Sequence, residues 1–202
     1  MLRYSSILLA AGISRRMGAT NKLLLEIDGL PMVRHCAERL IEVTGGATTV
    51  VLGHDADKIA ASLNGLTVHM IKNPDYAAGQ MASVNVGLRL SCWSDFTLIA
   101  LADQPRLTSQ MISELFSASQ QPEANEKIII PMRSKERGNP IVVPALIRER
   151  IIRESTNLGC QGLLRKHPEL IYPYHSDQEG YFVDLDTPEA YTAEINKNSL
   201  IS

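Results

Sequence analysis

Cysteine is scarce in this chain: three residues, Cys36, Cys92 and Cys160, stand far apart and are odd in number. With no C-x-x-C they build neither a disulfide framework nor a structural zinc site, and they fit a reducing, cytoplasmic setting. Cys160 has no identifiable histidine partner, so packing accounts for it better than nucleophilic catalysis. Aromatic residues make up 5% with a single tryptophan, Trp93, which leaves no stacking platform for single-stranded nucleic acid. A formal charge of −2 gives no broad field that would attract nucleic acid or an anionic membrane. No apolar run reaches the roughly 18 residues of a membrane span. The N-terminal run, MLRYSSILLAAG, is too short for a signal peptide and ends in glycine and arginine, without a cleavage pattern. The five histidines form no H-x-x-x-H or H-E-x-x-H, so catalytic zinc is not expected. Neither the P-loop G-x-x-x-x-G-K-[ST] nor the dinucleotide fingerprint G-x-G-x-x-G occurs, and the second absence weighs against an NAD-dependent oxidoreductase.

What remains is an ordinary globular composition, 45% hydrophobic and 21% charged, in 202 residues, enough for one domain spanning 1–202. Short apolar runs rich in β-branched residues predict strands at Ser5–Ala10, Thr48–Leu52, Thr67–Ile71, Phe96–Leu101 and Lys127–Pro131. Between them, apolar residues three and four apart predict helices at Pro31–Val43, Ala56–Leu63, Gln80–Leu90 and Ser109–Ser119. Little alternation within the strands implies burial on both faces, as in a parallel sheet. The strand–helix rhythm predicts a single doubly wound, mostly parallel α/β sheet. After Pro131 the rhythm changes: Arg133–Gly138 is charged and Pro140–Pro144 apolar, an expected excursion off the sheet forming a small substrate-side lobe. Ala145–Glu154 reads as a helix, Tyr181–Leu185 as a last strand and Pro188–Asn196 as a last helix. Asp28-Gly29 is a tight-turn pair, and Thr108 is a candidate helix cap.

The chemistry concentrates after the first strand, in LLAAGISRRMGATNKLL, residues 8–24. Ligands of open α/β sheets sit beyond the carboxyl ends of the strands, where this loop emerges. Ala11 and Gly12 let a ligand approach the backbone amides, successive amides can nest an anion, and Arg15, Arg16 and Lys22 can neutralise a triphosphate. A tight turn with solvated basic residues explains the same letters. In FTLIALADQP, residues 96–105, an apolar strand ends in Asp103, a carboxylate placed to hold Mg²⁺, which takes one or two carboxylates plus substrate phosphates. A turn or cap aspartate is the alternative.

The loop AAGISRRMGATNKLL resembles the signature A-A-G-x-S-x-R-M-G-x-x-K-L-L of the MobA-like nucleotidyltransferases, which is far more specific than a lone glycine pair. The resemblance implies that Ala10, Ala11 and Gly12 meet the base and phosphates of a nucleoside triphosphate, with Arg16 and Lys22 on the phosphate chain. Arg15 falls at a variable position. Asn73–Leu88, NPDYAAGQMASVNVGL, resembles the family's N-P-x-x-x-x-G-x-x-x-S-x-x-x-G-L. Gly79 there permits a tight turn, Gln80 can hydrogen-bond a base or ribose, and Ser83 lies in a helix's first turn, where free amides favour anions. Helix capping or simple exposure is the other account of Ser83. The family has G-D-Q-P or G-D-M-P around Asp103; here Ala102 replaces the glycine and adds one methyl group. FVDLDTP, residues 182–188, resembles D-I-D-T-P, which makes Asp186 the second metal contact. Strand alternation would put Asp184 on the same face as a substitute, and a helix N-cap explains Asp186 or Thr187 equally. Gly138-Asn139-Pro140 resembles a family G-N-P near the acceptor substrate, though a hairpin turn accounts for it as well. LGCQGLL, residues 158–164, resembles G-D-x-G-x-x-x-L-L with Cys160 at the aspartate.

The resemblance implies a Mg²⁺-dependent nucleotidyl transfer in which Lys22, Arg16 and Asp103 are catalytic. Its A-A-G branch uses CTP, and its A-G-G branch uses GTP. Within it, this chain is most similar to enzymes that attach CMP to a molybdopterin-type cofactor, acting as cytoplasmic monomers and serving a molybdoenzyme or its chaperone. A GTP-using relative, a sugar-phosphate nucleotidyltransferase and a non-catalytic nucleotide-binding chaperone are the alternatives.

Overall fold

Every residue of β1 (Tyr4–Ala10) after Tyr4 is buried, so the strand needs a cover on both faces. The computed structural model, which describes residues 2–18, 20–153 and 165–198, provides it by placing β1 at the centre of a sheet. β4 (Thr48–Leu52) and β6 (Phe96–Leu101) flank β1, both parallel to it, with Leu8 in register with Val50 and Ala100. β5 (His69–Lys72) extends the sheet beyond β4, again parallel. On the other side β9 (Ile141–Pro144) pairs antiparallel with β6, β7 (Ile128–Arg133) antiparallel with β9, and β10 (Ile171–His175) parallel with β7. A short β8 (Glu136–Arg137) folds back on β7. β2 (Glu26–Ile27) and β3 (Leu30–Pro31) form a separate ribbon turned by Asp28 and Gly29, whose φ of 52° and 78° make the expected tight-turn pair.

Successive side chains of β1 point to opposite faces and seed two cores. Leu8 and Ala10 pack with Val50 and Leu98 under α1 (Met32–Thr44), α2 (Ala56–Ser62) and α4 (Ser109–Ser119). Ile7 and Leu9 pack with Val51 and Ile99 under α3 (Gln80–Leu90) and α5 (Ala145–Arg153). Each fully buried aliphatic side chain is worth about 2 kcal/mol, so continuous apolar strands are what a two-sided cover requires. The last helix, α6 (Pro188–Asn198), packs over the β2–β3 ribbon through Ile27, Leu185 and Ile195. The doubly wound, mostly parallel α/β expectation holds. Thr108 caps α4, its hydroxyl accepting from the Met111 amide at 3.2 Å. Among the described residues, no helix is long and apolar enough to cross a membrane.

Two expectations are corrected. Tyr181–Leu185 is not a strand: a single helical turn over Glu179–Tyr181 leads into irregular chain. Its backbone bonds run to loops, with Leu185 donating to the Asp103 carbonyl at 2.9 Å, and Tyr181 is buried singly with its hydroxyl on the Met111 carbonyl at 2.8 Å. The last strand is instead β10, whose Pro173 sits on the sheet's edge, where a missing N–H is tolerated. The expected excursion after Pro131 stays with the sheet, because the short β8 pairs back onto β7. Ile141, Val142 and Val143 then form β9, between β6 and β7, because three adjacent apolar side chains find cover only within the sheet. The segment at 158–164 lies outside the described residues, as does Glu154 at the end of its expected helix.

Arg148 locks α5 against the end of α3. It is 7% exposed, and its guanidinium donates to the carbonyls of Leu88 at 2.6 and 2.9 Å, Ser91 at 2.9 Å and Cys92 at 2.9 Å. The Leu88 carbonyl is one that the end of α3 leaves unpaired, and those of Ser91 and Cys92 follow just beyond it. Arg148→Met keeps the apolar stem but abandons those acceptors. Urea denaturation is expected to show a loss of about 3 kcal/mol; a loss under about 1 kcal/mol would mean that water replaces the guanidinium.

Candidate active site

Because β1, β4, β5 and β6 run parallel, the loops that follow them open on one edge of the sheet. Between these loops lies a cleft of about 540 Å³. Ala11, Gly12 and Arg16 line it from the first loop, Gly79, Gln80 and Ser83 from the start of α3, and Lys22, Asp103 and Asp186 from three separate segments. Nine of the residues singled out in the sequence therefore share one cavity.

Lys22 is central to it. Its Nζ bonds Asp103 Oδ2 and Asp186 Oδ1, and Arg16 reaches the other oxygen of Asp186 at 2.6 Å. The side chain of Lys22 is only 11% exposed. Burial works against its charge, but Asp103 and Asp186 outweigh burial and hold its pKa above the usual lysine value. Burial likewise works to raise Asp186, and Lys22 and Arg16 overcome it, lowering that carboxyl. Asp184 is pushed up to about 6 by desolvation and by the negative charges of Asp103 and Asp186. The two aspartates come near Asp103 through the irregular chain, not through strand alternation. Thr187, not Asp186, caps α6, accepting from the Ala190 amide at 3.2 Å, which leaves the Asp186 carboxylate for the cleft.

Local structure sets the loop. Ser14 adopts φ 54° ahead of a short turn over Arg15–Met17. Asn21 caps the next turn, Lys22–Leu24, its Oδ1 accepting from the Leu23 amide at 3.1 Å and its Nδ2 donating to Asp55 at 3.3 Å. Three positions separate Gly18 from Lys22, one more than the loop pattern has, and Asn21 is the residue that fixes the lysine there. No signal in the sequence marked Asn21. Gly79 has φ 107° and open space where a Cβ would stand, so backbone conformation demands glycine and the cleft wall stays low. Ser83 does not cap α3: its Oγ accepts from Asn73 at 3.0 Å and keeps its hydrogen to donate. Tyr76, Ile13 and Leu101 also line the cleft, though all three stood at variable or strand positions.

Other expectations fall elsewhere. The side chain of Ala10 is fully buried in the core beside Leu8 and is not in the cleft lining. The methyl of Ala102 also points into that core, so it adds nothing to the site. Gly138, Asn139 and Pro140 do not line the cleft. A Cβ on Gly138 would stand 2.6 Å from the Tyr181 carbonyl and 2.9 Å from the Phe182 ring, and the Asn139 amide donates to the Tyr181 carbonyl at 2.8 Å. That corner clamps the segment carrying Asp184 and Asp186. Arg106 clamps it from behind, holding Glu194 of α6 at 2.8 and 3.0 Å and pairing with Glu179. Cys36, buried under Asp103, has its thiol pushed up to about 12 by burial first and that carboxylate second, so it stays protonated and inert.

The donor set suits a hard divalent cation. Asp103 Oδ1 is buried with no hydrogen-bond partner, and the other oxygen of Asp103 already converges with Asp186 on one positive centre. Among the described residues, no group of three or more His, Cys, Asp or Glu forms a complete cage. Two carboxylates that need substrate phosphates and water to complete the shell suit a divalent cation that keeps part of its hydration.

The profile of the MobA-like NTP transferase domain matches residues 6–170. Nicotine blue oxidoreductase of Paenarthrobacter nicotinovorans is 28% identical, over 92% of this chain and 93% of its own. A molybdenum cofactor guanylyltransferase from a Shewanella strain is 26% identical over 98% and 99%, and the molybdenum cofactor cytidylyltransferase of Escherichia coli is 26% identical over 95% of each. A solved nucleotidyl transferase from Methanothermobacter thermautotroptrophicus superposes with a TM-score of 0.79 at 18% identity, covering 99% of both chains.

The packing of Gly138 has a direct test. Gly138→Ala is expected to cost about 1–3 kcal/mol by overpacking against Tyr181 and Phe182. Unchanged thermal stability in that variant would return Gly138 to the role of a substrate contact.

Proposed function

The chain belongs to the MobA-like NTP transferase family and is a nucleotidyltransferase; we propose that it transfers CMP from CTP to the terminal phosphate of a molybdenum-bound pterin cofactor and releases pyrophosphate. The observation that carries the reading is the convergence of Lys22, Arg16, Asp103 and Asp186 at one cleft, opposite the glycine-led start of α3. Transfer of this kind is mostly positioning and neutralisation of charge. Ala11, Gly12, Gly79 and Ser83 give a nucleotide close backbone approach and a hydroxyl donor. Gln80 presents an amide to base or ribose. Lys22 and Arg16 stabilise the negative charge that grows on the departing pyrophosphate. Asp103 and Asp186 would hold Mg²⁺, which would supply positive charge to offset that of the reacting phosphates. The attacking phosphate is already ionised, so no side chain has to remove a proton. The acceptor would approach beyond Asp186, toward the Gly138–Pro140 corner, whose part is to hold Asp186 in place.

The choice of CTP rests on Ala10-Ala11-Gly12. Likeness to the guanylyltransferase and the cytidylyltransferase is equal in identity, so the base must be settled by assay. A redox reading has one support, the likeness to nicotine blue oxidoreductase. A cleft that gathers cations and carboxylates suits phosphate transfer better than hydride transfer. Delivery of the product to a molybdoenzyme or its chaperone belongs to the same proposal.

Pyrophosphate release with Mg²⁺ and molybdenum-loaded pterin cofactor should occur with CTP and not with GTP, ATP or UTP. Release with GTP alone would overturn the base assignment and keep the transfer. No release, with NADH consumed in the presence of an oxidised dye, would overturn the transfer itself. Asp103→Asn should lower turnover by about 10²-fold or more while CTP still binds; undiminished turnover would remove Asp103 from the site.

A further inference from the structure

Four charged groups assigned to different tasks are bonded to one another here. Lys22 and Arg16 would meet the triphosphate, and Asp103 and Asp186 would meet the metal, yet Lys22 joins both carboxylates and Arg16 holds Asp186. Two positive and two negative charges close on themselves. A divalent cation arriving alone would have to displace Lys22 and then share the site with two cations left without partners. A triphosphate arriving alone would face two carboxylates that keep hold of the cations it needs. Arriving together, each ligand takes the partners that the other releases.

Resting on the nucleotide and metal reading above, we infer that Lys22 is an exchangeable counter-ion: it closes the Asp103–Asp186 pair before substrate arrives, and its passage from the carboxylates to the triphosphate opens that pair to a divalent cation. Nucleotide and metal then bind as a linked pair, each tightening the other by the same factor.

The surroundings of Lys22 are built for this exchange. The turn that carries it is anchored independently of its ammonium: Asn21 Oδ1 accepts from the Leu23 amide at 3.1 Å, and the Leu25 amide donates to the Lys22 carbonyl at 3.1 Å. A flexible four-carbon stem can therefore swing while the turn stays in place. Both Lys22 and Gly12 line the cleft, so the ammonium moves from one wall of a single cavity to its interior. Asp103 Oδ1 is buried and unpartnered, a donor that the closed arrangement leaves unused. Arg16, 69% exposed, can follow without loss of packing.

Mn²⁺ binding to the nucleotide-free protein, followed by electron paramagnetic resonance, tests the idea without any turnover, alongside CTP binding by equilibrium dialysis with and without Mn²⁺. Wild type should bind Mn²⁺ weakly by itself, and Mn²⁺ should tighten CTP binding by about tenfold or more. Lys22→Met keeps the stem and removes the charge; it should bind Mn²⁺ alone about tenfold more tightly than wild type, while Mn²⁺ changes its CTP affinity far less. Arg16→Gln should move both quantities the same way by a smaller factor, and it decides the matter should Lys22→Met fail to show a cooperative thermal transition. Lys22→Met that is folded and binds Mn²⁺ no better than wild type overturns the exchange. Tight Mn²⁺ binding by wild type alone, indifferent to CTP, overturns it too but leaves the metal reading standing. Absence of Mn²⁺ binding by wild type even with CTP removes the metal reading itself.

Discussion

The ammonium of Lys22 is where three distant segments of the chain meet. One comes from the loop after β1, one from the end of β6 and one from the irregular approach to α6. Two carboxylates this close repel each other and lose hydration, and a cation between them offsets both costs. The rest of the site is arranged to keep that meeting possible. Asn21 places the lysine, the β1–β6 register places Asp103, and a set of clamps places Asp186.

Those clamps show how an active site can depend on residues that never touch a ligand. Beyond the single helical turn at Glu179–Tyr181, the segment up to Asp186 belongs to no strand or helix. A Cβ on Gly180 would stand 2.5 Å from the Arg106 carbonyl oxygen and one on Gly138 2.9 Å from the Phe182 ring, which Arg133 covers at 4.4 Å. Tyr181 is driven into the core and there satisfies a backbone carbonyl. Irregular chain can be as firmly placed as a strand when each residue is held by a different neighbour. Loops positioned in this way by a rigid scaffold are where function tends to reside.

Much of this was legible in the letters because the physics was local. Apolar runs such as SSILLA, buried on both faces, announce parallel strands, and small residues with basic ones after a strand announce an anion site. Asp103 was legible for the same reason, a carboxylate directly at a strand's end. What escaped was set by tertiary contact. Pro173 concealed β10, since proline withholds a ladder N–H and its place on an edge strand cannot be seen from the sequence alone. The alternation of Tyr181–Leu185 imitated a strand, though Tyr181 and Leu185 are drawn into different clusters. Gly138 carried a family pattern whose local cause is the ring of Phe182, more than forty residues on. The partnership of Arg106 with Glu194 spans 88 residues and leaves no periodic trace.

The antiparallel strand β9 has an effect on the geometry of the rim. One reversal between β6 and β9 and a second between β9 and β7 cancel, so β7 and its neighbour β10 run in the same direction as β1 and β6. The carboxyl ends of six strands therefore finish along one edge instead of four. The rim that carries Asp103 at the end of β6 thus continues past β9 to the ends of β7 and β10.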